Sequence, residues 1–433
     1  MRDGCSTGFE EIILMIYRML MAFFFLTLST AWAADWPQWR GPDRDNISTE
    51  TGLLRTWPAG GPKVLWETSV AQGYAGVAIK NGLAYINDYD EDKKEHTVRC
   101  LSLDDGTEVW RWSYKVNIRP NHGITRTVPA VGDALVFSLD PKCKFHALDA
   151  KTGKLVWQKN LVQEYKTTIP QWYAGQNPLL DGDRVLVATG GDALVVAFDQ
   201  ATGNEVWKTP NPDNDLMSHA SLMPATIGGV KQYLYLTMNK VVGVAAADGK
   251  LLWKSPFIGK LAVSPSPIYV GNGKVFVTAA YEVGSAMYQV QKTADGFSAK
   301  ELFTLTSNQF NSEVHTPILY KDHLFAVSSK KRGQFTCLDL NGKIVWQSPV
   351  ASGDPEGTRT FELGGFILAD GMFYILDGVS GILRLVEANI TGYKELASAQ
   401  ILEGHDVWGP PALSDGKLII RDMGRMVCLQ VGK

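Results

Sequence analysis

The residues of this chain best suited to chemistry are histidines, cations and aromatics that share one kind of position. His122, His219, His315 and His405, four of the seven histidines, each lie shortly before a tight turn and a short β-branched or aromatic run. Imidazole is the commonest metal ligand and titrates near neutral pH, so four of them facing one opening would make a metal or acid-sensing site. Against that, they stand at different offsets from the runs they precede. The same segments carry Arg119, Arg126, Lys166, Lys260 and Arg359, with Trp172, Tyr173 and Trp408. Cations beside aromatic faces can hold a planar anion by charge pairing and stacking. The competing role is structural: such side chains also bond loop backbones. Glu313, Asp354, Glu356, Glu362 and Asp406 lie in these segments too. Calcium would need several of their oxygens at about 2.3–2.6 Å, and no ligand-loop spacing of that kind is present. There is no Gly-x-Ser-x-Gly nucleophile turn and no phosphate-cradling glycine loop.

The elements that position these residues are repeats. Turns of Gly, Asn or Asp precede short strand-like runs eight times. The instances are Asn81-Gly82, Gly132-Asp133, Asp181-Gly182, Gly228-Gly229, Asn272-Gly273, Lys321-Asp322, Asp370-Gly371 and Asp415-Gly416, recurring every 44 to 50 residues. A fixed period of this size marks a repeat architecture. A second register runs out of phase with the first: Trp66, Trp110, Trp157, Trp207, Trp253 and Trp346, with Phe303 and Leu396 in the two gaps. Two of these tryptophans close a longer motif, Ala147-Leu148-Asp149-Ala150-Lys151-Thr152-Gly153 up to Trp157 and Ala197-Phe198-Asp199-Gln200-Ala201-Thr202-Gly203 up to Trp207. Asp and Thr-Gly make a tight turn, and the strand after it carries an aromatic large enough to pack on a neighbouring unit. A unit of this length holds four short strands, and four-stranded sheets repeated around an axis make a β-propeller. The fold class is therefore all-β: an eight-bladed β-propeller of four-stranded blades. Lys63-Val64-Leu65-Trp66 precedes the first unit, while the last unit, from about Pro411 to Gln430, lacks its Trp strand. The N-terminal strand is expected to complete that last blade and leave no open edge.

The repeats resemble those of pyrroloquinoline quinone (PQQ) repeat propellers, over nearly all of the chain after its leader. The opening Ala34-Asp35-Trp36-Pro37-Gln38-Trp39-Arg40-Gly41-Pro42 is similar to that of many secreted bacterial PQQ-like proteins. Two branches of this superfamily set the functional expectations. Relatives of BamB, the propeller subunit of the outer-membrane barrel-assembly machinery, are non-catalytic. That branch implies a binding or scaffold module for protein, peptide or a small anionic ligand at the funnel face. Quinoprotein alcohol dehydrogenases imply PQQ and calcium in the central funnel, acting on an alcohol or sugar. The resemblance places neither their calcium set nor their catalytic Asp on residues of this chain, and there is no adjacent cysteine pair. The binding module is the preferred reading, with Arg126, Arg359, Trp172 and Trp408 as the candidate ligand contacts and His122, His219, His315 and His405 as the candidate metal set.

Other expectations concern the ends and the compartment. Residues 1–33 read as a signal peptide: Arg18, an apolar core over Met19 to Leu28, then Ala31-Trp32-Ala33, with cleavage after Ala33 or Ala34. The stretch before Met15 or Met19 is unusual for a leader, so the true start is expected at one of those residues. No cysteine follows the core in a lipid-anchor position, so a periplasmic or secreted monomer is expected. Residues 34–62 are expected to pack on the propeller, Trp36 and Trp39 across a blade edge, and 63–433 to form it. Net charge is −3 and pI about 6.2, which lacks the basic footprint of a nucleic-acid partner. Cys100, Cys143, Cys337 and Cys428 lie near strands of different blades and are expected as buried thiols, with Cys100 and Cys428 the pair to test for a disulfide.

Overall fold

The computed structural model describes residues 35–328, 333–349, 361–403 and 405–433. Arg359, Asp354, Glu356 and the leader lie outside them. The turn register falls where the first strand of each sheet folds back into the second. At Asn81-Gly82, Asn272-Gly273, Lys321-Asp322, Asp370-Gly371 and Asp415-Gly416 both turn residues have positive φ. That is the geometry of a two-residue hairpin whose twist matches its strands.

Eight antiparallel sheets result, each of four strands in chain order from the axis outward. They span 77–115, 130–160, 179–210, 223–256, 268–305, 318–347 and 366–400, and the eighth joins 412–430 to Lys63–Ser69. Together they form an eight-bladed β-propeller. The N-terminal strand pairs antiparallel with Arg425–Gln430, so both ends of the chain are pinned in one blade. The second and third strands of each blade are covered on both faces by neighbouring blades. They read as continuous apolar runs for that reason, as in the buried centres of Leu83–Asp90 and Ala193–Asp199. Outer strands alternate, as in Glu205–Pro210.

The tryptophan register is a docking device. In every blade the pairing of third and fourth strands slips by one residue, and the slip skips the residue before the register position. Such a bulge bends and twists the strand locally. The ring then lies over the turn glycine of the next blade: Trp66 on Gly106, Trp110 on Gly153, Trp157 on Gly203 and Trp207 on Gly249. Indole Nε1–H groups of Trp66, Trp110 and Trp157 donate to Leu103 O, Ala150 O and Gln200 O at 2.8–2.9 Å. The Thr-Gly of the motif is thus a landing pad for the preceding blade's ring.

Two details depart from the sequence reading. In the seventh blade the skipped residue is Leu396, which puts Ala397 at the register position. Trp57 from the N-terminal segment instead lies 6.3 Å from Tyr374. Tyr374 holds the ladder position that Tyr85, Phe137 and Phe325 hold beneath Trp110, Trp157 and Trp346. A residue far away in sequence supplies the missing ring. The cysteines have a packing role: Cys100, Cys337 and Cys428 sit opposite Trp110, Trp346 and Trp66, where other blades place Ala147, Ala197 or Gly243. All four described cysteines are unpaired and buried.

Residues 36–54 cover the inner, axis-facing edges of the blades. Trp36 exchanges hydrogen bonds with Ile79 of the first blade, and Pro37 O accepts from Val131 N of the second. Arg44 donates to Pro178 O beside the third, and Arg40 to Thr316 O and Pro317 O beside the sixth. Ile47–Ser48 adds a short parallel strand to Phe366–Ala369 of the seventh. Leu54 N donates to Val431 O at the end of the eighth. No described helix is long and apolar enough to cross a membrane.

Candidate functional site

Loops that join each outer strand to the next inner strand emerge on one face, together with the loops between second and third strands. They enclose a cavity of about 250 Å³ around the axis, to which residues ahead of every blade contribute. A belt of hydrogen bonds holds these loops to one another. Val128 N donates to Asn177 Oδ1, Asn177 N to Ser221 Oγ, Ser221 N to Ser266 Oγ and Ser266 N to Thr316 Oγ1. Each link runs from the loop entering one blade to the loop entering the next, and Arg40 joins the last by donating to Thr316 O. Every member is buried, so the belt fixes the cavity walls before any ligand arrives.

The walls are aromatic. Tyr74 stacks on Trp408 with centroids 4.9 Å apart and planes within 15°. Across the loops of the third and fifth blades, Trp172 stacks on Tyr281 at 6.4 Å and 13°. Trp39, from the N-terminal segment, supplies the floor. Arg126 lies 5.4 Å over the Tyr74 ring and donates to the carbonyls of Asn121, His122 and Gly123. Burial lowers its pKa to about 10, which still leaves it charged at neutral pH.

The histidines divide. His219 and His315 line the cavity, and burial pushes both down to about 4, so they are neutral at pH 7. His315 Nε2–H donates to Leu363 O at 3.0 Å. His219 Nε2 is buried without a hydrogen-bond partner. His122 is exposed on the cavity rim, and His405 stands out in solvent with Nδ1 3.3 Å from Asp406. Among the described residues no three His, Cys, Asp or Glu side chains converge as a metal set.

Of the proposed ligand contacts, Arg126, Trp172 and Trp408 meet in this one cavity. The other described cations do not line it: Lys166 pairs with Asp192 at 2.9 Å, Lys260 with Glu282 at 3.5 Å, and Arg119 is exposed. Sequence reasoning missed Tyr74, Tyr281 and Trp39. Tyr74 could have been found, since it precedes the first inner strand as Trp408 precedes the last. Tyr281 comes from a loop between second and third strands, where it takes positive φ, and no repeat marks it.

A quinone with its calcium would need several carboxylate oxygens for the metal and several cations for the carboxylates of PQQ. The described lining has one carboxylate, Glu313, and one arginine, Arg126, whose donors already face carbonyls. Asn177 is committed to the belt through both Oδ1 and Nδ2. These residues do not fit the pair, and no step is routed through it.

Comparison with known proteins places this architecture. An outer membrane protein assembly factor BamB from Yersinia pestis is 23% identical over 364 residues, covering 81% of this chain and 85% of that one. A quinoprotein ethanol dehydrogenase from Pseudomonas aeruginosa is 27% identical over 221 residues, 44% of this chain and 34% of the enzyme. The crystal structure of quinohemoprotein alcohol dehydrogenase from Comamonas testosteroni superposes with a TM-score of 0.61 at 12% identity, over 92% of this chain and 81% of that one, and shows the shared fold. The family model described as outer membrane protein assembly factor BamB matches residues 94–348, and the chain belongs to that family of PQQ-repeat propellers.

Proposed function

We propose that this chain is an exported, non-catalytic binding module that seats a ligand or a segment of a partner at the open mouth of its propeller. The observation that carries this reading is the cavity itself: loops ahead of all eight blades and the N-terminal segment build one aromatic basket, tied by a closed belt of hydrogen bonds. A rigid concave site with aromatic walls and a few polar groups is the usual form of a binding pocket. Exposed Leu216, Ile258 and Leu261 lie in loops of the same face, which suits a macromolecular partner around the mouth. The leader motif and the resemblance to BamB, an assembly factor by name, support export and a binding role.

The test uses the chain from residue 35 onward. With PQQ, calcium and an artificial electron-accepting dye, neither ethanol nor glucose is expected to reduce the dye. Turnover would overturn the non-catalytic reading in favour of a quinone-dependent dehydrogenase. A fusion of residues 1–34 to a phosphatase that is active only outside the cytoplasm should show activity; an inactive fusion would remove the export.

A further inference from the structure

We infer that the cavity takes a small planar anion, an aromatic or heteroaromatic carboxylate, and that the N-terminal segment supplies much of the charge that holds it. The inference rests on the reading of the mouth as a binding site and adds the class of ligand.

The first observation is a pair of buried charges beneath the floor. Arg40 and Arg44 are 4% and 0% exposed, and their guanidinium carbons lie 5.5 and 5.1 Å from the Trp39 ring centroid. Arg40 donates to the carbonyls of Arg44, Asp45, Thr316 and Pro317. Arg44 donates to Gln38 Oε1, Pro178 O and Asn177 O, and its Nε has no hydrogen-bond partner among the described residues. These acceptors are neutral. Carbonyl dipoles orient around a cation without cancelling its charge, so its field extends into the adjoining cavity with little screening. Burial lowers both arginines to about 9, and both remain charged at neutral pH.

The charges on the other side of the balance are few. Asp45 is the nearest acid behind the floor; its carboxylate accepts from Ile47 N, and burial raises its pKa. Glu313 is the one carboxylate among the described lining residues. Arg126 adds a third guanidinium at the wall, again bonded only to carbonyls. His219 and His315 contribute no charge, but His219 Nε2 is buried and unpartnered at the cavity. Three arginines with neutral acceptors therefore surround a space whose surfaces are ring faces. A carboxylate provides the counter-charge that the arginines lack. A flat ring provides the partner that Trp39, Trp172 and Trp408 can stack on. An indole with cations near it also favours an electron-rich ring.

The experiment is equilibrium dialysis of the chain from residue 35 with 1-naphthoate, its neutral isostere 1-naphthamide, and a methyl glycoside. Saturable binding of naphthoate, roughly tenfold or more tighter than the amide, is expected. Arg126→Gln should remove much of that preference and Trp39→Leu should weaken both ligands, with far-UV circular dichroism confirming that each variant is folded. Equal binding of acid and amide, or preference for the glycoside, would overturn the anion class while leaving the mouth as a binding site. If no probe binds the folded protein, the anion class fails. If a ligand found by any route binds unchanged in Trp172→Ala and Trp408→Ala, the mouth itself is not the site.

Discussion

Alanine at Gly203 tests whether docking of a ring on the next blade's turn holds the propeller together. Gly203 has φ 71°, and an added Cβ would stand 2.7 Å from the Trp157 ring. Gly182, in the same blade, has φ 61° and nothing within 4 Å of an added Cβ. The left-handed backbone alone costs an L-residue about 1–2 kcal/mol. That is the whole expectation for Gly182→Ala. At Gly203 the methyl group must displace the indole. Overpacking adds about 1–3 kcal/mol. The displaced Nε1–H loses its 2.8 Å bond to Gln200 O, worth about 1 kcal/mol. Gly203→Ala should therefore cost about 3–5 kcal/mol against about 1–2 for the control. The assay is urea unfolding followed by far-UV circular dichroism, comparing midpoints at unchanged slope. In a Trp157→Leu background the cost of Gly203→Ala should fall toward that of Gly182→Ala, because the ring it strikes is gone. Equal costs for the two glycines, or no coupling to Trp157, would refute the landing-pad account.

Trp57→Ala should destabilise the fold by about 2–4 kcal/mol, close to the cost of Trp110→Ala, because it removes a docking ring from the seventh blade; a thermal midpoint shift near zero would show that Trp57 only rests there. His96, His219 and His315 are held neutral by burial, at about 3, 4 and 4. The unfolded chain binds their protons first, so the stability they confer is present above about pH 6.5 and is lost as pH falls toward 4; urea midpoints from pH 8 to 4 check this, and His315→Gln should flatten the curve. Asp140 is shifted the other way, up to about 6 by burial, despite accepting from Tyr114 Oη–H and Lys144 N. Its contribution is fully present below its unfolded value and is lost as pH rises through 6, so Asp140→Asn should help more at pH 8 than at pH 4. A thiol reagent should label none of Cys100, Cys143, Cys337 and Cys428 in the folded chain and all four in urea, given their burial and lack of disulfides.

Blade number and closing strand were legible because each repeat pays for its own fold locally. A turn needs Gly, Asn or Asp at positive φ, and a docking strand needs a ring, so both leave marks at fixed spacing. The funnel loops were legible as places, and Arg126, Trp172 and Trp408 do meet there. What the sequence hid is what the repeat does not generate. Trp39, Arg40 and Arg44 lie in a segment with no strand period, bonded to carbonyls from residues far along the chain. Nothing local marks such contacts. Leu396 was misassigned because spacing alone cannot see a bulge that skips one residue.

The placement of the N-terminal segment has a consequence for folding order. Residues 36–69 emerge first during synthesis, yet their partners include Thr316, Phe366–Ala369 and Arg425–Gln430. The axis can be threaded and the ring shut only once the last strand exists. Loop closure on this scale costs entropy that local pairing does not, and folding dominated by such distant contacts is slow. An aromatic, strand-prone stretch must therefore wait unpaired while seven blades form, which exposes it to aggregation. The same contacts that make the finished ring edgeless make its assembly the hazardous step.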